Sequence, residues 1–139
     1  MISLDSLTEQ FIEEFKDNLN WMSISEKADQ FSIDFIIKFK NKFKWGMVST
    51  HYPLTIEFVD EFYKQLDWYS ISLYQKLSID IIEKYYVLIR FDQLSFNINL
   101  TEEIIRRYSK DLNIEIIVSQ IKKYKLLSED FKKLLKVWY

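Results

Sequence analysis

LTIEFVDEFYKQLDWYSISLYQK (residues 54–76) is followed without a gap by LSIDIIEKYYVLIRFDQLSFNIN (residues 77–99), a run of the same length and pattern in different letters. Each opens with an apolar residue, a hydroxyl residue, an acid two places on, and then paired apolar residues. The same opening recurs along the chain as LTEQFI, FSIDFI, LTIEFV, LSIDII, LTEEII and LSEDFK, starting at Leu7, Phe31, Leu54, Leu77, Leu100 and Leu127. A fixed period in this length range is the mark of a repeat architecture, in which one unit cannot bury its apolar face alone.

The opening reads as a helix start. Thr8, Ser32, Thr55, Ser78, Thr101 and Ser128 stand as N-caps, with Asp34, Glu57, Asp80, Glu103 and Asp130 near the positive helix end. The apolar residue before each cap and the one four places into the helix (Phe31 and Ile36, Leu54 and Val59, Leu77 and Ile82, Leu100 and Ile105, and Leu7 with Ile12) have hydrophobic-staple spacing.

Apolar triplets at steps of four then share one face: Phe11, Phe15, Leu19; Phe35, Phe39, Phe43; Phe58, Phe62, Leu66; Ile81, Tyr85, Ile89; Ile104, Tyr108, Leu112. These predict helices over residues 8–19, 32–43, 55–66, 78–89, 101–112 and 128–137. Shorter helices are expected from 21, 45, 68, 91 and 114, opened by Trp21, Trp45, Trp68, Phe91 and Ile114 and capped in three units by Asn20, Asp67 and Asn113. Lys44 and Arg90 hold the same place and are poor caps.

The expected fold is a single all-α solenoid of about five and a half two-helix repeats. Its units are residues 7–30, 31–53, 54–76, 77–99 and 100–126, with a terminal half-repeat 127–139.

Composition limits the chemistry. With 139 residues, 48% apolar and 17% aromatic, the chain can bury a core as one domain. No cysteine is present, which removes disulfides, thiolate nucleophiles and Cys-based zinc sites. The single glycine, Gly46, leaves no phosphate-cradling loop. No apolar run has the length of a membrane span, and the first residues lack the pattern of a signal peptide, so a soluble cytoplasmic protein with no membrane partner is expected.

His51 is the only histidine and has no local partner set for catalysis or metal binding. Ser25, Ser49, Ser72 and Ser95 fall in one column of the repeat, which points to a structural hydroxyl bonded to backbone rather than a nucleophile. Carboxylate pairs such as Glu13 with Glu14 or Asp60 with Glu61 are neighbours on a helix and do not converge. The Trp ladder at repeat spacing suits a core better than a stacking platform. No catalytic residue, metal site or cofactor follows, and the expectation is a binding protein rather than an enzyme.

Two partner classes remain. Directly after the cap, the end units carry Glu9, Glu102 and Glu129, whereas the middle units carry Ile33, Ile56 and Ile79. One and two turns along that face come Ile37, then Tyr63 and Tyr86. Either these side chains pack against the neighbouring unit, or Ile33, Ile37, Ile56, Tyr63, Ile79 and Tyr86 make an apolar patch for a protein partner. The alternative partner is RNA or DNA. Residues 1–30 carry seven acids and two bases, while residues 100–139 carry nine bases and six acids. Arg106, Arg107, Lys110, Lys122 and Lys123 would be the contacts of that basic end. A net charge of −2 opposes it, as does the absence of similar base-reading residues from unit to unit.

FSIDFIIKF, LTIEFVDEF and LDWYSISLYQKLS resemble short tandem repeats of the form LSExFIxxFxDxLxWxxISxxQ, found in uncharacterised proteins of AT-rich viruses, phages and some bacteria. The resemblance runs from Leu7 over nearly the whole chain and departs at Phe91 and Ile114, which replace the Trp. It implies a helical array of phage or viral origin and brings no catalytic residues. The corresponding expectation is a protein that binds and inhibits a host defence protein.

Overall fold

The computed structural model describes residues 8–138. Among them the regular structure is entirely helical, with no strand: eleven α-helices joined by tight turns and 3-10 segments. Six begin at the predicted hydroxyl caps: α1 (Glu9–Glu14), α3 (Ile33–Lys38), α5 (Ile56–Phe62), α7 (Ile79–Lys84), α9 (Glu102–Arg107) and α11 (Glu129–Trp138). The other five are α2 (Trp21–Glu26), α4 (Trp45–His51), α6 (Trp68–Tyr74), α8 (Phe91–Leu94) and α10 (Ile114–Ser119). The two sets alternate along the chain until α11.

The capping chemistry is as the residues require. Thr8, Ser32, Thr55, Ser78 and Thr101 sit in extended backbone and accept from the N–H three residues on, and Ser128 does the same for Phe131. Asn20, Asp67 and Asn113 cap the second helices, while Lys44 and Arg90 contribute no side-chain cap. Leu7, the first staple residue, lies outside the described residues. The other staple residues, from Phe31 with Ile36 to Leu100 with Ile105, all belong to or pack on one core.

The first helices are shorter than the four-step apolar pattern predicts. α1, α3, α5, α7 and α9 have six or seven residues instead of about twelve, and only α11 is close to its expected span. Past the helix end, in the units opened by Trp, the indole takes a carbonyl that a continued helix would use. In a continuous helix Lys40 C=O would accept from Lys44 N–H. Here it accepts the indole N–H of Trp45 at 2.8 Å, while Lys44 N–H donates to Ser25 Oγ, also at 2.8 Å. Tyr63 C=O likewise receives the Trp68 indole at 3.0 Å, and Asp67 N–H goes to Ser49 Oγ at 2.8 Å.

The chain tightens instead into three-residue turns, such as Lys42 N–H to Phe39 C=O and Leu88 N–H to Tyr85 C=O, both 2.8 Å. Bonds from Phe43 to Phe39, Leu66 to Phe62 and Leu112 to Tyr108 keep the step of four through the turn. The apolar triplets therefore stay on one face, and those beginning at Phe35, Phe58, Ile81 and Ile104 are buried. In the first unit Phe15 is exposed.

Neighbouring units meet helix to helix. α2 packs on α4, α4 on α6 and α6 on α8, while α5 packs on α7 and α10 on α11. Each opening aromatic of a second helix lies against the next unit: Trp21 against Phe39 and Phe43, Trp45 against Phe62, Trp68 against Tyr85, and Phe91 against Tyr108, with ring centroids 5.1–5.7 Å apart. Those rings are core and wall rather than a free stacking platform.

Candidate interaction surface

What a surface residue can offer depends on what the links between units have already used. The serine column is the first of these links. Ser25, Ser49, Ser72 and Ser95 are fully buried, and each Oγ accepts the backbone N–H that heads the next second helix, from Lys44, Asp67, Arg90 and Asn113 at 2.8–3.0 Å. Ser25 and Ser95 also donate to Trp21 C=O and Phe91 C=O at 2.6 and 2.8 Å. All four hydroxyls are engaged with backbone.

A second column was not singled out in the sequence. Buried Gln75 donates to Ser49 C=O and Tyr52 C=O at 2.7 and 2.8 Å, and buried Asn97 donates to Ser72 C=O and Gln75 C=O, both at 2.8 Å. The Tyr124 hydroxyl does the same service for Ser95 C=O. These groups satisfy helix-end carbonyls of the preceding unit. Their signal was faint because glutamine, asparagine and tyrosine share the task at unequal spacing.

The column after the cap links units in two chemistries. Glu9 accepts from Ser32 N–H at 2.6 Å and from its hydroxyl at 3.2 Å; Glu102 accepts from Ser128 N–H and hydroxyl at 3.0 and 2.7 Å. The Ser128 hydrogen bonds hold the Glu102 carboxyl below its ordinary range. Ile56 and Ile79 occupy the equivalent place in the middle units and pack, partly buried, against the core. Ile33, Ile37, Tyr63 and Tyr86 remain exposed, at 37–43%.

Of the six residues of the proposed protein patch, then, four face solvent and two lean inward. The two tyrosines are also tied down. The Tyr63 ring lies 5.7 Å from that of Tyr85, and the Tyr86 hydroxyl bonds Asp111 of the next unit.

Further apolar side chains are exposed where second helices end. Tyr74, Phe96 and Ile98 are 42–55% exposed, and Asn99 Nδ2 reaches Tyr74 C=O at 3.1 Å across the unit boundary. Their clue in the sequence was apolar character in segments that turn residues usually fill.

The basic residues named for nucleic acid stand in different settings. Arg107 pairs with Glu83 at 2.9 Å. Arg106 lies over the Phe131 ring at 4.8 Å, in a depression shared with Glu102 and Asp130. Lys122 and Lys123 lie on the 3-10 segment Ile121–Lys123, and Lys110 lies beyond the end of α9. His51 is an exposed residue at the end of α4. Among the described residues no group of His and carboxylate side chains is placed to hold a metal, and no helix is long and apolar enough to cross a membrane.

In comparisons with known proteins, no family model, curated protein or solved structure matches this chain.

Proposed function

We propose that the chain is a solenoid of about five and a half stacked two-helix units that serves as a docking surface for another protein. The observation that carries this reading is the exposure, in successive middle units, of Ile33 and Ile37 on α3 and of Tyr63 and Tyr86 just beyond the ends of α5 and α7. A solvated helix face would carry charge there. Aromatic side chains held by a neighbour, as Tyr63 and Tyr86 are, lose little entropy on binding and are common interface anchors. The partner is a cytoplasmic protein. The resemblance to phage and viral repeats supports a host defence protein as that partner, with inhibition by occupancy.

Ile37→Asp combined with Tyr63→Ser tests this, since both side chains are exposed, with melting of the variant compared with the parent to separate a lost contact from a lost fold. Capture from lysate of one identified protein, surviving nuclease and lost in the variant, is the expected result. Capture that is unchanged in the variant, or that nuclease abolishes, contradicts the reading.

A further inference from the structure

The C-terminal end assembles a feature that neither the protein patch nor the scattered arginines account for. A groove of about 340 Å³ lies between the segment after α10 and the outer face of α11. Its walls carry Lys122, Lys125, Lys132, Lys133 and Lys136, with Glu129 as the one acid and buried Ile121 beneath. On α11, Lys132 with Lys136 and Lys133 with Lys136 have the i,i+4 and i,i+3 spacings that place them on one face. Phe131 and Leu135, on the opposite side, anchor the helix in the core. Glu129 is engaged by Lys132 at 3.4 Å, which leaves four ammonium groups of the groove without a paired acid there.

We propose that this groove binds a compact polyphosphate anion. Like charges gathered in one concave site repel each other, and a multivalent anion relieves that repulsion while the low-dielectric wall strengthens the attraction. Lysine supplies mobile point charges, which suit clustered phosphate oxygens of varied geometry.

The surroundings favour a compact ligand over a polymer. Four cations farther along the array pair with acids of the adjacent unit: Lys38 with Glu13, Lys42 with Asp17, Lys84 with Asp60 and Arg107 with Glu83. The groove's volume of about 340 Å³ suits a compact anion, and no aromatic side chain lines it for base stacking. With a net charge of −2 the protein as a whole does not attract anions, so binding has to be local.

The test is calorimetric titration of the full chain with inorganic tripolyphosphate at about 50 mM and about 300 mM salt. It is repeated with Lys133→Gln/Lys136→Gln and with Lys44→Gln/Lys76→Gln, a control of equal charge change at exposed sites outside the groove. Binding that weakens roughly tenfold in the groove variant and less than about twofold in the control, with both variants melting like the parent, is expected. The proposal is overturned by absence of binding at the lower salt, or by equal weakening in both variants. Tighter binding of a single-stranded RNA of about 20 nucleotides than of tripolyphosphate at the higher salt would make the groove a nucleic-acid interface and overturn it as well.

Discussion

Between the second helices, one unit is joined to the next through buried serine hydroxyls and side-chain amides, whereas beside the first helices the same units are joined by ion pairs open to water. Ser72 Oγ holds Arg90 N–H at 3.0 Å at zero exposure. Lys84 holds Asp60 at 2.8 Å with about half of each side chain in solvent. Both are regular contacts between neighbouring units, but their energetics differ. Loss of the buried link strands a polar group in a part-buried site, while loss of the exposed one returns two ions to water.

Asn97→Ala is expected to give the largest effect. It strands Ser72 C=O, Gln75 C=O and Asn99 N–H together, and a loss of about 3 kcal/mol follows at roughly 1 kcal/mol each, read from the denaturant midpoint. Ser72→Ala comes next at about 1–2 kcal/mol, because one N–H loses its acceptor in a part-buried site. If either variant proved neutral, the buried side would be no stronger than the exposed edge.

Tyr85 and Tyr108 sharpen the comparison, since they hold equivalent places in successive units. The Tyr85 hydroxyl bonds Asp60, whereas the buried Tyr108 hydroxyl has no hydrogen-bond partner among the described residues. Glu83, at the place of Asp60, pairs with Arg107 instead. Tyr85→Phe is therefore expected to cost about 1 kcal/mol and Tyr108→Phe nothing, or to stabilise slightly. Equal losses in the two variants would contradict this assignment.

Alkaline titration reports on the same buried hydroxyls. Burial first, with the Asp60 hydrogen bond second, pushes Tyr85 up to about 12, and burial alone pushes Tyr124 up to about 12. A folded-state value above the unfolded value of about 10 means a contribution fully present below pH ~10 and lost as pH rises toward 12. The melting temperature is expected to fall across that window, and to fall less steeply in Tyr124→Phe.

Lys38→Gln and Lys84→Gln should move melting least, within the error of the measurement, because their partners Glu13 and Asp60 are open to solvent. Those two carboxyls are held below their ordinary range chiefly by the lysine hydrogen bonds. Their contribution is present above the unfolded carboxyl values of about 4 and fades as pH falls below them. A large loss in either lysine variant would overturn the ranking of the two sides.

Period, caps and the starts of the second helices were legible because each depends on local chemistry: a hydroxyl, a staple, an aromatic at a fixed place. The lengths of the first helices were not. The step of four through Phe35, Phe39 and Phe43 persists across a turn, so the pattern reads on where the helix has ended. Past that end Lys44 N–H meets Ser25 of the preceding unit, a residue nineteen places back, which periodicity cannot register.

The candidate surface was legible in part for a related reason. Ile33 and Ile56 read alike in sequence, yet one is exposed and the other packs on the core, and only the set of the neighbouring unit decides which.

Amide hydrogen exchange tests most directly the claim that equivalent residues make equivalent buried links from unit to unit. The N–H groups of Lys44, Asp67, Arg90 and Asn113 head their helices, a position where N–H groups have no intrahelical acceptor, and here each meets a buried serine. The account predicts that these four exchange only with global unfolding, while the amides of exposed Thr55 and Ser78, at the caps of α5 and α7, exchange far sooner. Exchange of the four at the rate of Thr55 and Ser78 would contradict it.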